Sequence, residues 1–425
     1  MKQGNRRWAI AALLAGGVLV NFIDRVNLSV AAPLIEREFG INDAAMGVLL
    51  SAFAWTYGLL QIPSGLLLDR YGVRKVMSWS TALWSIATAA ASLSLGVGSL
   101  FIMRMLLGVA EAPSFPANAK AIANWFPRNE RGLSTALFDG AAKFSNVIAI
   151  PLATLLILLT GWRLTFLITG VISFGYFLLF RRFYREPADD PHLSDAERGL
   201  IAQNRPFPLP AAEPGHGTYM LRTCLTSRKV LGLSLGFAAY GYAFSLYLFW
   251  LPNYLTRQMH VSLFWAAAFS VIPWSCATVS DLAVGGWLVD RLVSRDHDQT
   301  RVRQTIIVFG MVAGFAILGA ALSEQLGWAI FWISLSLSGL ALVGAVAWSL
   351  PGLLAPGDGA GTVGGIMNFS YSVATILAPI VTGLLVNGSG SFSRAFAVAA
   401  AILGIGALSF IFMLGRITPI ETRGQ

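Results

Sequence analysis

The sequence predicts an all-α polytopic membrane protein, with twelve transmembrane helices arranged as two six-helix bundles. Three observations lead there. The 425 residues are 56% hydrophobic and only 12% charged, with a mean hydropathy of +0.65, whereas a soluble domain carries about 25% charged residues. Such a chain has too little polar surface to cover a water-soluble fold. Its apolar residues gather into twelve stretches, each near the roughly 20 residues that a bilayer crossing needs. A polar stretch over 182–228 separates the first six from the last six. A soluble enzyme, a disordered scaffold and a secreted disulfide protein are all excluded. Cys224 and Cys276 offer neither metal-ligand spacing nor a disulfide framework.

The first six stretches run over about 8–32, 46–68, 76–97, 99–121, 132–158 and 162–181. The last six run over about 229–251, 264–288, 304–323, 327–351, 361–386 and 392–415. A membrane barrel would instead alternate in segments of ~10 residues. Lys2, Arg6 and Arg7 precede the first stretch as they would a signal peptide. No small-residue cleavage site follows, and the run continues through Asp24-Arg25, so the stretch is expected to remain as a span.

With the N-terminus inside, 23 of the 30 Lys and Arg fall in the tails and cytoplasmic loops. Only Arg37, Arg163, Arg257 and Arg394 lie outside, and Arg25, Arg104 and Lys143 lie in the membrane. The positive-inside rule then places both termini in the cytoplasm. The net charge of +9 is therefore topological, and nucleic acid is not expected as a partner.

The domain organisation read from this pattern is an N-terminal bundle (1–181), a cytoplasmic linker (182–228) and a C-terminal bundle (229–425). The linker holds Pro187, Pro191, Pro206, Pro208, Pro210 and Pro214. Within it, Ser194-Asp195-Ala196-Glu197 has capping-box spacing and predicts a short surface helix. The rest reads as flexible. The bundles share a repeat: Gly65-x-x-x-Asp69-Arg70-x-Gly72-x-Arg74-Lys75 follows the second stretch, and Gly286-x-x-x-Asp290-Arg291 follows the eighth. One charged turn is an ordinary solvated anchor. The same turn at equivalent places in two halves is a structural or gating element, in which Asp69, Arg70, Asp290 and Arg291 pair across helices or sit at helix ends.

The repeat, the six-plus-six layout and the linker resemble the major facilitator superfamily. Further stretches resemble its anion:cation symporter family, the galactonate-, glucarate- and hexuronate-type organic-anion transporters. These are Asp24-Arg25-x-Asn27-Leu28-Ser29, Ser51-Ala52-Phe53-Ala54-Trp55-x-Tyr57, and Arg104-x-x-x-Gly108-x-x-Glu111-Ala112-Pro113-x-Phe115-Pro116. Trp250-Leu251-Pro252-x-Tyr254-Leu255 and Asn368 also fit. The resemblance implies that Arg25 contacts an anionic substrate, that Asp24 takes part in proton coupling, and that substrate binds near the midplane between the two halves.

Seven titratable residues fall within spans: Asp24, Arg25, Arg104, Glu111, Asp139, Lys143 and Asp281. Each costs about 2.5–3.5 kcal/mol at the centre of an inserting helix, so each must pair or face a cavity. Arg104 and Glu111 are seven residues apart, which puts them on one helix face about 10.5 Å apart, too far for a direct bridge. Glu111 suits a proton carrier, and Arg104 its counter-charge or a substrate gate. Asp24 and Arg25 point about 100° apart and cannot share one partner. A helix-end interface pair is the structural alternative for them.

Asp139 and Lys143 are an i, i+4 pair. Lys143 either meets a second group of the substrate or is simply neutralised by Asp139. Relatives in the family carry uncharged residues at these two positions, often Gln where Ala142 stands, and often Tyr where this chain has Phe22. Those departures suit an acid that is smaller, more apolar or more highly charged than a sugar acid. Asp281 reads as structural. Tyr57 and Gln61, also i, i+4, could hydrogen-bond substrate, with Tyr240, Tyr247 and Asn368 as an opposite wall.

No enzyme constellation is present. His192, His216, His260 and His297 fall in loops or at a span edge, and HExxH, GxSxG and Walker A patterns are missing. No filter motif suggests a channel. The expectation is a carrier without catalytic residues, metal or cofactor: a proton-coupled symporter importing an organic anion, with Arg25, Tyr57, Gln61, Lys143 and Asn368 binding substrate and Asp24, Glu111 and Arg104 coupling protons. A drug/proton antiporter or an organic-anion exchanger of the same fold is the alternative. The expected partners are a small organic anion, protons and lipid, with the chain acting as a monomer in a bacterial-type inner membrane.

Overall fold

The computed structural model describes residues 5–126, 131–203, 222–293, 295, 298–355 and 360–420. Helix accounts for 86% of the structure, and the described residues include no strand. The first helices are α1 (Arg6–Phe39), α2 (Asp43–Leu59), α3 (Gln61–Tyr71), α4 (Val73–Ala91), α5 (Val97–Glu111) and α6 (Ser114–Trp125). They are followed by α7 (Arg131–Phe183) and α8 (Asp195–Gln203). Next come α9 (Arg228–Arg257), α10 (Leu263–Ser280), a π-helical segment (Asp281–Leu288), α11 (Val289–Val293), α12 (Gln299–Gly314) and α13 (Ile317–Ala321). The last are α14 (Leu326–Ala347), α15 (Pro351–Leu354), α16 (Ala360–Ser389), α17 (Ser393–Ser409) and a π-helical end (Phe410–Leu414).

Among the described residues, nine helical runs are long and apolar enough to cross a membrane. The twelve expected stretches are all helical, and local chemistry explains the difference in number. The run Leu137–Phe183 holds two of them; its limbs meet at Gly161, whose φ of +79° lies in the left-handed region that only glycine enters readily. The second stretch is split into α2 and α3 at Leu60. There Pro63 cannot donate to the Leu59 carbonyl and its ring crowds the preceding turn. Arg74 and Lys75 occupy the first turn of α4, so its apolar part is short.

The chain packs as two compact units, one of Met1–Ala31 with Trp55–Ala211, the other of Ala32–Ala54 with Ala212–Gln425. In the first unit α1 approaches the second limb of α7 closely. A methyl at Gly17 would overlap the Tyr176 hydroxyl, which donates to the Leu13 carbonyl at 3.2 Å.

The capping serine is in place: Ser194 Oγ accepts from the Glu197 amide, at the start of α8. The residues before and within α8 are more firmly held than their prolines and charges suggest. Arg6 pairs with Asp190 at 2.9 Å and Arg7 with Glu197 at 2.9 Å, the second pair almost fully buried. Just past α7, Glu186 accepts from the Val73 amide, the Asn124 amide and the Tyr184 hydroxyl. Burial, and then the charge of Glu186, push the Tyr184 phenol well above its ordinary range, so it remains a donor.

In the second unit, α9 packs along α16 and α17. Its interior is aromatic: the Tyr240 ring lies against Phe237, Phe244 and Tyr371, and Phe244 meets Trp274 edge-on.

Candidate functional site

The candidate site lies inside the first unit, where α1 presents two polar faces. Asn21 and Arg25, four residues apart, share one face. Asp24 and Asn27, three apart, share the other. The faces diverge by the 100° step of the helix, so Asp24 and Arg25 have different partners.

On the first face, Arg25 Nε donates to Glu111 Oε2 of α5 at 2.9 Å. Glu111 is fully buried and Arg25 is 11% exposed. The Arg25 guanidinium also lies 5.0 Å from the Phe22 ring centroid and 4.9 Å from that of Tyr57, within cation–π range of both. Buried Asn21 sits beside the Glu111 carboxylate.

Arg104, two helical turns before Glu111 on the same face of α5, reaches the α1 backbone instead. Its guanidinium donates to the carbonyls of Asp24 at 3.1 Å and Arg25 at 3.4 Å. The face shared by Arg104 and Glu111 is thus the one that α5 turns to α1, with one residue on its main chain and the other on a side chain. Arg104 fixes the height of α1 at the point where its charged side chains leave the helix.

On the second face, Ser173 of α7 donates to Asp24 Oδ2 at 2.6 Å. One turn along, Asn27 donates to Thr169 Oγ1 at 2.7 Å. Asp24, Ser173, Asn27 and Thr169 are all buried, a dry setting in which each hydrogen bond is strong and each unmet polar atom costly.

Gln61 lies near this cluster and bonds to main chain. Its amide reaches the carbonyls of Tyr57 at 3.4 Å and Ala112 at 3.5 Å. The Ala112 carbonyl would ordinarily accept from residue 116, which is proline and has no N–H. Gln61 fills that gap. Lys143 pairs with Asp139 at 2.9 Å on α7, the lysine buried and the aspartate partly exposed.

Asn368 belongs to the second unit; it is half-buried on α16, with its carbonyl accepting from Ser372. Asp281 opens the π-helical segment and is buried. Arg70 stacks on Tyr71 and Arg291 on Trp287, so both repeated turns carry an arginine over a ring. The side chains of Asp69 and Asp290 lie outside the described residues. The described residues include no group of His, Cys, Asp and Glu able to hold a metal ion.

Sequence reasoning missed Ser173 and Thr169. A signal was present: Thr165, Thr169 and Ser173 repeat every four residues in an otherwise apolar run, which draws a hydroxyl stripe along one helix face.

Comparison with known proteins agrees with this architecture. The chain is 31% identical to "Probable sulfoacetate transporter SauU" of Cupriavidus necator, over 100% of this chain and 99% of that one. It is 32% identical to "D-galactonate transporter" of Escherichia coli O6:H1, over 99% and 98%. A solved structure of a bacterial homologue of the human lysosomal transporter Spinster, inward-facing and occupied, superposes with a TM-score of 0.76 at 18% identity, covering 97% of each chain. The family described as Major Facilitator Superfamily matches residues 14–379. By that match the chain belongs to the Major Facilitator Superfamily, a family of multi-pass membrane transporters.

Proposed function

We propose that the chain is a proton-coupled symporter that imports a small organic anion by alternating access. The Arg25–Glu111 pair carries this reading. The Arg25 guanidinium is bonded to a carboxylate and lies between two aromatic rings, a setting that an incoming carboxylate can share or take over. When substrate claims Arg25, Glu111 loses its partner in a buried site, and an unpaired buried carboxylate takes up a proton instead of remaining charged. Anion binding and protonation then favour each other, as linkage requires.

Asp24, held by Ser173, is the second proton carrier, and Arg104 positions both through the α1 backbone. Tyr57 and Gln61 border the anion, and Lys143 takes a second charged or polar group. Asn368 is the candidate substrate-binding residue of the second unit. The drive is adequate: one proton supplies about 1.4 kcal/mol per pH unit, and each net charge about 2.3 kcal/mol per 100 mV.

The substrate is a carboxylate of the sugar-acid or short-chain class. The 31–32% identity to proteins named for sulfoacetate and D-galactonate supports that range. In this reading the protein acts as a monomer in a bacterial inner membrane, and its Lys and Arg distribution supports both termini lying in the cytoplasm.

The test is uptake into proteoliposomes under an imposed proton gradient, with sulfoacetate, D-galactonate and D-glucarate as substrates. Glu111→Gln is expected to abolish proton-driven accumulation while sparing counterflow exchange of the accepted anion. Loss of both activities would reduce Glu111 to a structural role.

A further inference from the structure

Away from the charge cluster, four arginines of the first unit line one hollow. Arg74 comes from the first turn of α4, Arg181 and Arg182 from the last turn of α7, and Arg185 from just beyond it, with Leu178 as an apolar wall. The cavity measures about 330 Å³, enough for a phosphate-bearing headgroup. Arg74, Arg181 and Arg182 are exposed and Arg185 is half-buried.

Among the described residues, none of the four has a carboxylate within ion-pair distance. Two neighbouring acids are engaged elsewhere. Glu186 is turned to the Val73 amide, Asn124 and Tyr184, and Asp190 to Arg6 and the His192 amide. The positive-inside rule explains why this face is basic. It does not explain why arginines from elements about a hundred residues apart converge on one hollow with no acid among its described lining residues.

Guanidinium forks match phosphate oxygens in pairs, and a bound phosphate would offset the mutual repulsion of the four cations. The flank of the hollow says what carries that phosphate. Along the same helix, Val171, Ile172, Phe174, Leu178 and Leu179 are exposed, an apolar face of the kind that meets acyl chains. It ends where Arg181 and Arg182 begin.

We propose that this hollow binds the headgroup of an anionic phospholipid, with the phosphate among Arg74, Arg181, Arg182 and Arg185 and the acyl chains lying along Phe174 and Leu178. Basic hollows on the cytoplasmic side of membrane helices suit such headgroups.

The test uses the purified, delipidated full chain in neutral detergent, with lipid binding followed by native mass spectrometry and melting temperature. Phosphatidylglycerol is expected to bind and stabilise where phosphatidylcholine does not. Each arginine removed should weaken binding about fivefold, and R181Q/R182Q/R185Q about a hundredfold. The control R295Q/R301Q, which removes two exposed arginines of the second unit, should bind as the unaltered chain does. Undiminished phosphatidylglycerol binding by the triple variant overturns the proposal, as does an equal loss in the control. Inorganic phosphate that displaces the lipid at equal concentration overturns it too, because the hollow would then be a free-anion site. If the triple variant does not fold, R182Q alone decides on the fivefold change.

Discussion

The two units fill their interiors with different chemistry. In the first, α1, α5 and α7 bury Asp24, Arg104, Glu111 and Lys143, with Arg25 nearly so, each placed by a partner on the same or a neighbouring helix. In the second, α9 and α16 meet through Phe237, Tyr240, Phe244 and Tyr371, ring against ring. The first interior is ionisable. The other offers mostly shape, polarisable faces and hydroxyls, with Asp281 and Glu36 among its buried acids. The proposed proton chemistry is assigned wholly to the first.

Four substitutions can break or sharpen that contrast. The largest effect is expected from Arg25→Ala. Truncating one partner of a buried charged pair costs about 2–5 kcal/mol in binding, so anion affinity measured by titration should fall by well over tenfold. Unchanged affinity would remove Arg25 from the binding site.

Ser173→Ala comes next. A hydrogen bond to a charged group contributes about 1.5–3 kcal/mol, so the melting temperature should drop and proton-driven uptake slow, while the threonine variant rescues both. If transport is untouched while stability falls, Asp24 only braces the helices.

Lys143→Gln should change the ratio of affinities for singly and doubly charged acids by about tenfold, a difference of about 1.4 kcal/mol. An equal loss for every acid would mean that Lys143 does no more than balance Asp139.

The smallest effect belongs to the second unit. Tyr240→Phe removes a hydroxyl that packs against Gly344 and should move the melting temperature by less than about 1 kcal/mol equivalent. If it abolished transport, the division between the two interiors would collapse.

Much of this was legible in the sequence because lipid is a strict solvent. Twelve apolar stretches can hardly be anything but helices, and a charge such as Glu111 within one has no inexpensive explanation. The partners were not legible. Whether Arg104 reaches a side chain or two carbonyls depends on how far α1 has slid past α5. The height of α1 is set by its packing on its neighbours, for example on α7, where Tyr176 sits over the bare face of Gly17.

Hydroxyl residues were harder still. A serine or threonine in a membrane helix most often bonds its own preceding turn, as Thr165 does to the Gly161 carbonyl. The stripe of Thr165, Thr169 and Ser173 marks a face in the one-dimensional pattern but does not say which of its hydroxyls reaches Asp24. The tethering of Arg6 and Arg7 to Asp190 and Glu197 was equally hidden, because pairing across more than 180 residues leaves no local trace.

The charge cluster also bears on voltage. Arg25, Arg104 and Lys143 against Asp24, Glu111 and Asp139 sum to zero when all six are ionised. Whatever charge Asp281 adds in the second unit, this cluster, when empty, would reorient without moving net charge of its own through the membrane field. A monovalent acid accompanied by two protons adds one positive charge, so within the cluster the potential acts on the loaded passage. Electrical recordings of pre-steady-state currents should therefore report a larger charge movement for the loaded step than for the empty one.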